Sequence, residues 1–316
     1  MPLQRLKTPK VEKKELPQEP LQLEQQEPPP PPIRISALVV SHNRVDWLRR
    51  AIESLECSKD REKIEILVID NGSADGSTEL ESEFPNTRFI RLPRNFGLTK
   101  ALNIGVRAAT GEYIAFFHED TQVAPDTLSL LASELEKQSE VGAVCPLLVT
   151  PEGPPAPQIE QLPAPGHTTL NWSVADPAQG DAVEYARGAA IMVRKFFFQA
   201  IRHIDERYGN WGSDAELCFQ VLRSGKRVLL VPSTRVIHEG RVVTNSAERA
   251  LLAADFKLGM ATYLSKHYGF VRGILFRIGV VLAAFAGIFA FQDLRYRFSL
   301  FIHLWNGQKV DGTQRD

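Results

Sequence analysis

Short apolar runs alternate with longer stretches of helical spacing from Ile33 onward. Strands are predicted at Ile35–Val40, Ile64–Ile69, Arg88–Leu92 and Tyr113–Phe117, and helices at Val45–Leu55 and Leu98–Ala109. Turn residues separate these elements. Because strands that alternate with helices are joined by right-handed crossovers, the pattern predicts an α/β fold with a largely parallel sheet.

A second region begins after the apolar run Val141–Val149. The segment Thr150–His167 is rich in proline and is interpreted as a loop. Beyond it the pattern predicts strands at Val183–Val193 and Arg227–Val231, the latter leading to His238, and helices at Lys195–Ile201, Ser213–Ser224 and Ala247–His267. The chain of 316 residues is long enough for one large domain or two small ones.

The first 32 residues differ from this pattern. Met1–Pro32 is rich in Lys, Glu, Gln and Pro and ends in the run Pro28–Pro32. Such a segment cannot bury enough apolar surface to order itself, so we predict a disordered, partly polyproline tail that acts as a solvated spacer or as a ligand for a proline-binding partner. It has no apolar core and is not interpreted as a secretory signal.

The segment Gly269–Phe291 is the most apolar part of the chain. Its uninterrupted portion, Ile278–Phe291, is about 14 residues long, shorter than the roughly 20 needed to span a bilayer. Two arginines precede this portion and two follow it, which is typical of an interfacial or re-entrant helix that meets anionic headgroups. A helix buried against the domain or in a dimer is the alternative.

The net charge and the cysteines indicate which partners and which cellular compartment to expect. A formal net charge of -1 argues against a dedicated nucleic-acid-binding protein, which usually carries a strong basic excess. The three cysteines are scattered without metal-site spacing, which favours a reducing, cytoplasmic setting.

Polar groups follow the four predicted strands of the first region: Ser41–Arg44, Asp70–Ser73, Arg94–Gly97 and His118–Asp120. Because the carboxyl ends of parallel strands share one rim of the sheet, these groups are expected to converge where ligands bind in open α/β sheets. The last group ends a buried strand with a histidine and two acids. Acids at such a rim commonly hold a divalent metal and, through it, a phosphate. A solvated acidic turn is the alternative.

The sequences of these motifs resemble those of family-2 glycosyltransferases of the GT-A fold, most strongly those of bacterial rhamnosyltransferase-like members. The matching segments are Ala37–Arg44, Ile69–Ser77, Arg94–Gly97, Asn103–Gly105, Ala109–Asp120, Arg187–Ala190, Asp205–Tyr208, Ser213–Cys218 and Val231–His238. The resemblance implies a Rossmann-like, mostly parallel sheet flanked by helices, with the apolar helical extension after it. It also implies a glycosyltransferase domain at 33–268, divided into a nucleotide-binding half (33–122) and an acceptor half (123–268), with residues 269–316 as the extension.

The resemblance assigns a nucleotide-sugar site and a metal site. The implied nucleotide-sugar residues are Ser41, Asn43, Arg44, Asp70, Asn71, Arg94, Asn95, His118, Glu119 and Asp120. Asp70 is expected to hydrogen-bond the base. Asp120 matches the last acid of the family's DXD motif, and with His238 it is expected to hold Mn²⁺ or Mg²⁺. His118 stands where relatives carry aspartate or asparagine, and imidazole suits Mn²⁺ better than Mg²⁺, which prefers oxygen ligands.

Asp214 matches the general base that removes a proton from the acceptor hydroxyl. The stretch Ser213–Glu216 also reads as a capping box, with Ser213 as the N-cap and Glu216 at the third helical position. The two roles are compatible, because a capped helix end would hold the base rigidly. Trp211 and Gly212, just before it, are expected to offer an acceptor sugar an apolar platform; a core tryptophan is the alternative.

Together these features predict an inverting glycosyltransferase that uses a nucleotide-diphosphate sugar, expected to be a dTDP- or UDP-sugar. The expected acceptor is a hydroxyl of a glycan or a lipid-linked glycan. The expected location is the cytoplasm, with peripheral contact at the cytoplasmic face of the inner membrane through the apolar extension. Two rival hypotheses remain: a metal-independent transferase, and a noncatalytic nucleotide-sugar-binding scaffold of a glycan-assembly complex.

Overall fold

The first third of the structure is a parallel sheet with its crossover helices. The computed structural model describes residues 34–176, 182–240, 243–289 and 293–310. The predicted tail Met1–Pro32 lies outside the described residues. The first elements are β1 (Ile35–Ser41), α1 (Val45–Glu56), β2 (Ile64–Asp70), α2 (Leu80–Glu83), β3 (Thr87–Arg91), α3 (Leu98–Ala108) and β4 (Tyr113–His118). These bounds confirm the predicted strands and long helices of this part to within one or two residues.

The remaining elements vary more in length, from two-residue strands to the 12-residue β12, and end in three long helices. They are β5 (Thr121–Val123), α4 (Thr127–Lys137), β6 (Val141–Val149), β7 (Pro157–Glu160), β8 (Ser173–Val174), β9 (Ala182–Val183), β10 (Tyr185–Ala186), β11 (Ala190–Arg194), α5 (Lys195–Ala200), α6 (Ser213–Arg223), β12 (Arg227–His238), α7 (Ser246–Tyr268), α8 (Phe270–Ile288) and α9 (Leu294–Asn306).

The main sheet has the order β3-β2-β1-β4-β11-β6-β12-β5, and β9 also pairs with β12. The pairs β3/β2, β2/β1 and β1/β4 are parallel, as predicted, and so is β12/β6. Strand β11 is antiparallel to both β4 and β6, which makes the sheet mixed. Because β1, β2 and β4 point the same way, their carboxyl ends share one rim, and this rim carries the polar groups described above.

Two predicted elements of the second region are wrong in detail. The segment Thr150–His167 is not a plain loop, because β7 lies within it and joins β10 and β8 in a small separate sheet. The Gln158 side chain stabilises this arrangement: it accepts a hydrogen bond from Leu148 N (2.6 Å) and donates one to Pro146 O (2.9 Å). The predicted strand Val183–Val193 is three short strands, interrupted around residues 187–189.

Strand β12 also extends beyond its predicted end at Val231. Its pairing with β6 is interrupted between Val231 and Arg235 and then resumes to Ile237. This bulge absorbs the polar turn-like residues that ended the apolar pattern, so the strand continues to His238. Because the strand continues past the bulge, His238 at its end lies at the same rim of the sheet as the end of β4.

The sheet is covered on both faces by apolar side chains. On β1, alternate residues point to opposite sides: Leu38 packs with Leu102 and Val106 of α3, whereas Val39 packs with Ile52 of α1. These side chains are at most 9% exposed. Burial on both faces explains why the strands read as continuous apolar runs and why the rim is rigid.

The predicted apolar tail is a helix that begins earlier than its uninterrupted run. α8 starts at Phe270 rather than near Ile278, and it is the helix of the described chain that is long and apolar enough to cross a membrane, by length and composition only. Only 11% of its most apolar 18-residue window is buried. The alternative of a helix buried against the domain is therefore wrong for most of α8, whereas burial in a dimer remains a prediction. α8 packs along one side only, against α7 and α9.

Candidate functional site

A cavity of about 700 Å³ opens at the rim formed by the ends of β1, β2 and β4. The predicted residues that line it are Ser41, Arg44, Asn71, Asn95, His118, Glu119 and Asp120. They come from all four polar groups that follow the first strands. The predicted convergence of these groups is therefore confirmed by the structure.

Side-chain amides hold the loops of this rim in place. Asn43 has a left-handed backbone (φ 53°), and its Oδ1 accepts a hydrogen bond from Ala74 N at 2.7 Å. Asn71 donates to Asn95 Oδ1 (2.9 Å) and accepts from Phe96 N (2.8 Å). These bonds connect the loop after β1 to the loop after β2, and that loop to the loop after β3. Asparagine serves here because one amide can donate and accept at once.

Three predicted nucleotide-sugar residues are not among the described residues that line the cavity: Asn43, Asp70 and Arg94. Asp70 is buried, and its Oδ1 accepts a hydrogen bond from Ser73 N at 2.9 Å, which shapes the turn after β2. The guanidinium of Arg94 lies over the Phe96 ring, 4.8 Å from its centroid. In this structure Asn43 and Asp70 thus support the loops that carry the lining residues.

Three side chains at the rim form a His-Asp-His cluster. His118 ends β4, Asp120 follows it, and His238 ends β12. Asp120 Oδ2 lies 3.4 Å from His238 Nε2, and Asp120 Oδ1 lies 4.0 Å from His118 Nδ1. One ligand atom from each of the three residues lies within 4.8 Å of the others, which suits a shared metal ion.

The electrostatics of the cluster also fit a divalent cation. Burial raises the pKa of Asp120, but the hydrogen bond from His238 counters it, and the pKa lies below its usual value. Desolvation lowers the pKa of His118, which leaves a neutral imidazole with a lone pair to donate. Asp120 Oδ1 is buried and has no hydrogen-bond partner among the described residues. A buried carboxylate oxygen without a donor is suited to a cation.

A second cavity, of about 590 Å³, meets the first at His118, Leu98 and Asn210. Its walls include Asp214, Gly188, Trp211 and His238. Donor-side and acceptor-side predictions thus fall in two adjoining cavities, with the His-Asp-His cluster between them.

Asp214 sits in the first turn of α6, and three donors hold its carboxylate. Its Oδ1 accepts from Tyr185 Oη (3.0 Å) and from Ala215 N (2.9 Å), and its Oδ2 accepts from Gly188 N (3.1 Å). Burial and the charge of Asp214 raise the pKa of Tyr185 well above its usual value, so the phenol stays protonated and donates. The carboxylate is therefore fixed in direction, and it borders the cavity.

The predicted capping box at this helix is wrong. The N-cap is Gly212, with φ 107°, and α6 starts at Ser213 without a side-chain cap hydrogen bond. Glu216 does not turn back to the cap; it is buried and accepts from Tyr208 Oη at 2.9 Å. A β-carbon at Gly212 would lie 2.5 Å from the Tyr208 ring, so glycine is required by both conformation and space.

Trp211 both borders a cavity and packs against a neighbouring ring, and its role as a platform for an acceptor sugar remains a prediction. It lines the second cavity, and its ring also packs edge-on against Phe256 with centroids 4.9 Å apart. The buried carboxylate of Asp255 holds this loop by accepting from Trp211 N (2.8 Å) and Asn210 N (3.2 Å). The loop that leads into α6 is therefore attached to α7.

Sequence reasoning missed several residues of the second cavity. The motifs give no role to Arg187 and Gly188, which line this cavity, or to Tyr185, which holds the cavity residue Asp214 by a hydrogen bond. The Arg187 guanidinium lies over the Trp172 ring, 4.9 Å from its centroid, and both residues line the cavity. The signal that could have found them is the break in the predicted strand Val183–Val193, because a polar Arg-Gly pair inside an apolar run marks an irregularity with a purpose.

The contact between Gly188 and Asp214 gives a testable prediction. A β-carbon at Gly188 would lie 2.8 Å from Asp214 Cβ, so Gly188→Ala must displace the carboxylate or lose its hydrogen bond. On the prediction that Asp214 is the general base of a glycosyltransferase, a shift of about 1 Å in its carboxylate costs on the order of 100-fold in rate, and we expect a loss of roughly that size in steady-state sugar transfer. Gly76→Ala, which meets only Val45 at 3.7 Å, is the control. Equal transfer by both variants would contradict this role of Gly188.

Comparison with known proteins decides the family. The family model described as "Glycosyl transferase family 2" matches residues 36–199. This chain belongs to that family. It is 24% identical over 270 residues to an N-acetylglucosaminyl-diphospho-decaprenol L-rhamnosyltransferase of Mycobacterium tuberculosis, covering 76% of this chain and 87% of the relative. It is 28% identical over 273 residues to the O-antigen biosynthesis protein RfbC of Myxococcus xanthus, covering 77% of this chain and 20% of the relative.

Solved structures confirm the fold of this family-2 glycosyltransferase. GalNAc-T7 in complex with UDP, GalNAc and Mn²⁺ aligns with a TM-score of 0.56 at 17% identity, covering 75% of this chain and 51% of that one. The mannosyltransferase PcManGT of Pyrobaculum calidifontis, in complex with GDP-Man and Mn²⁺, aligns with a TM-score of 0.53 at 15% identity, covering 88% and 87%. The GT-A-like fold and the rhamnosyltransferase-like character predicted from the motifs are confirmed.

Proposed function

We propose that this glycosyltransferase inverts configuration as it moves a sugar from a nucleotide diphosphate to an acceptor hydroxyl, with Asp214 as the general base. The observation that carries the proposal is the position of Asp214. Its carboxylate is held by three donors at the wall of a cavity that adjoins the His-Asp-His cluster. A base on one side and a diphosphate site on the other suit in-line displacement at the anomeric carbon.

We assign a residue of this chain to proton removal and another to stabilisation of the leaving group. Asp214 takes the proton of the acceptor hydroxyl as that oxygen attacks, while Tyr185 and Gly188 N keep the carboxylate aimed. The leaving nucleotide diphosphate develops negative charge at the rim. Arg187, in the wall of the adjoining cavity that Asp214 borders, contributes positive charge that favours the anionic leaving group.

The residues that would hold a metal are Asp120 and His238, with His118 as a third ligand. Their ligand atoms are close enough, and the buried Asp120 Oδ1 is without a donor among the described residues. Mn²⁺ suits this mixed nitrogen and oxygen set better than Mg²⁺ does. When bound, the cation would neutralise charge that builds up on the diphosphate.

The two cavities and the relatives support a proposal for the donor and the acceptor. The larger cavity, at the rim of the nucleotide-binding half, would take a dTDP- or UDP-sugar, with Asn71 and Arg44 in its wall. The mycobacterial relative is named for a diphospho-decaprenol acceptor, which supports a lipid-linked glycan here. We place the reaction at the cytoplasmic face of the membrane, where the apolar extension makes peripheral contact.

A screen of nucleotide sugars, with a decaprenyl-diphosphate-linked sugar as acceptor and with Mn²⁺, Mg²⁺ or EDTA, tests the proposal. Transfer that depends on one cation and yields an inverted linkage by NMR supports it. Full transfer in EDTA would instead support the metal-independent rival, in which Arg187 and a protonated His118 neutralise the diphosphate. Donor binding without turnover of any donor would support the scaffold hypothesis.

The choice of metal rests on His118 and can be tested separately. Replacing this imidazole by a carboxylate, in His118→Asp, provides the oxygen ligand that Mg²⁺ prefers. We expect the ratio of Mg²⁺-supported to Mn²⁺-supported transfer to rise on the order of tenfold, a difference in binding free energy of about 1.4 kcal/mol. His203→Asp, a histidine outside both cavities, should leave the ratio unchanged. An unchanged ratio in His118→Asp would remove His118 from the metal site.

A further inference from the structure

The large exposed hydrophobic side chains of the described residues are concentrated on the last two helices. All but Val174 and Phe196 lie between Phe270 and Trp305, on α8, its carboxyl end and α9. A concentration of exposed apolar side chains on two packed helices marks a surface for another protein or for a membrane.

The packing of α7, α8 and α9 shows how this patch is presented. Gly273, near the start of α8, lies against Ser265, near the end of α7, so the two helices run antiparallel. Phe285 of α8 meets Phe301 of α9 with ring centroids 5.5 Å apart, and Gly307, just after α9, lies beside Arg277. α9 is therefore antiparallel to α8. Each of the three helices packs against the other two around a shared apolar cluster, so α8 and α9 lie next to each other with α7 behind both.

The uncovered face of α8 is apolar from Leu275 onward. Leu275, Leu282 and Phe289 follow one another at intervals of two turns and are 62%, 61% and 61% exposed. The opposite face of α8 packs with small and branched side chains, including Ala284, against a cluster around Ala254 of α7. The helix thus has one side used for folding and one side that the described chain leaves uncovered.

Cationic side chains stand at both ends of this apolar face. Arg272 and Arg277 are exposed at one end, and Arg295 is exposed at the other. In the sequence from 269 to 310 the only acid is Asp293, which caps α9 and lies 3.8 Å from Arg249 of α7. An apolar face framed by arginines is complementary to an anionic lipid leaflet, whose acyl chains and headgroups match the two features.

The same geometry argues against a helix that crosses the membrane. The uncharged part of α8, residues 278–288, is about 16 Å long at 1.5 Å per residue, about half of the hydrocarbon thickness of roughly 30 Å. α8 is also packed along α7, which carries Lys257 and the buried Asp255, so that a spanning α8 would draw these groups into the bilayer.

We propose that α8 and α9 form a monotopic anchor that lies flat in one leaflet of an anionic bilayer, with the helix axes parallel to the membrane plane. This deepens the peripheral contact of the proposed function, on which it rests for its biological purpose but not for its test. His303 of α9 and the nearby Val310 line the larger cavity. The nucleotide cavity therefore lies within about one helix diameter, roughly 10 Å, of the leaflet, at the level of a lipid-linked diphosphate.

Vesicle flotation of the full chain tests whether an anionic bilayer covers the exposed face of α8 and α9. We expect at least tenfold more protein to float with vesicles that contain 30% phosphatidylglycerol than with phosphatidylcholine alone, on the order of the gain that a few surface arginines give. The double variant Leu282→Glu/Phe285→Glu should lose flotation, whereas Phe196→Glu, an exposed aromatic of α5 (76% exposed), should keep it. Flotation that is equal for all three proteins would overturn the proposal, as would a chain that dimerises through this face and ignores vesicles.

Depth measurements test the flat orientation. Cysteines introduced at Leu275, Leu282 and Phe289, in a Cys57→Ser background because Cys57 is exposed, would carry a bimane label for quenching by brominated lipids. A flat helix puts all three labels at one depth, whereas a crossing helix separates the first and last by about 21 Å. A graded depth would overturn the proposal. Both measurements need neither donor nor acceptor, so they can fail while sugar transfer succeeds, and the reverse.

Discussion

Asp214→Asn is expected to lower the rate of sugar transfer by about 100- to 10,000-fold, the range that a general base contributes. The amide cannot take the proton of the acceptor hydroxyl. The carboxylate of Asp214 accepts hydrogen bonds from both the Tyr185 hydroxyl and Gly188 N. The amide would instead direct its NH₂ group at one of these two donors and lose that hydrogen bond. Donor affinity should change little, because Asp214 lies on the acceptor side of the His-Asp-His cluster. Single-turnover transfer and donor calorimetry on the same protein separate the two quantities.

Asp126→Asn is the matched control for this substitution. Asp126 is the N-cap of α4, an acid at a helix start like Asp214, but it lies outside both cavities. We expect its variant to transfer sugar at the wild-type rate. If Asp214→Asn keeps transfer within threefold of wild type, Asp214 is not the base and only a structural role is left for it.

The second large effect concerns stability and comes from Glu216, a buried acid between α6 and the end of α7. Its side chain accepts from His267 Nε2 (2.8 Å) and Tyr208 Oη (2.9 Å), and Lys266 Nζ lies 2.9 Å from Oε1. Removing one partner of a buried ion pair leaves the other charge uncompensated. We expect Glu216→Gln to lower the free energy of unfolding by about 3 kcal/mol, measured by urea denaturation.

The pH dependence of this contribution has a definite sign. Burial alone would raise the pKa of Glu216, but hydrogen bonds from His267, Gln220 and Lys266 lower it from 4.5 to about 2. A depressed pKa in the folded state stabilises the protein fully above pH 4.5, and the stabilisation is lost as the pH falls from 4.5 to 2. A shift of this size corresponds to about 3 kcal/mol. The wild type should therefore lose stability more steeply in this pH range than Glu216→Gln.

Glu134→Gln is the control for the stability series. Glu134 pairs with Lys137 at 2.8 Å on the surface of α4, where the lysine side chain is 63% exposed. Exposed pairs contribute about 0–1 kcal/mol, so this variant should unfold close to wild type at every pH. Equal losses in the Glu216 and Glu134 variants would show that the buried network contributes no more than a surface pair.

The predicted and observed elements agree best where the local sequence pattern and the tertiary packing favour the same secondary structure. The strands from Ile35 to His118 were predicted to within two residues because both faces of the sheet are buried, so that each strand is a continuous apolar run with turn residues at its ends. The convergence of Ser41, Asn71, Asn95 and Asp120 at one cavity followed from parallel pairing alone. The role of each residue there remains a prediction.

The second half was harder because its contacts are not local. Three features of this half depend on partners that are far away in sequence. They are the antiparallel pairing of β11 with β4, the bulge in β12, and the hydrogen bond between the buried Gln158 and β6. The capping box at Ser213 failed for the same reason. Glu216 meets the end of α7, about 50 residues later, and its burial there outweighs the local bond that the spacing favoured.

By itself the sequence determined the alternating strands and helices, the polar rim and the family, because these depend on periodicity and on motifs read within short windows. Only the tertiary structure decided which side chains meet. It joined His118 and Asp120 to His238, fixed Asp214 between Tyr185 and Gly188, and left one face of α8 uncovered. The physical reason is that a carboxylate's donors and a helix's neighbours come from distant segments, and a linear pattern carries no distance between them.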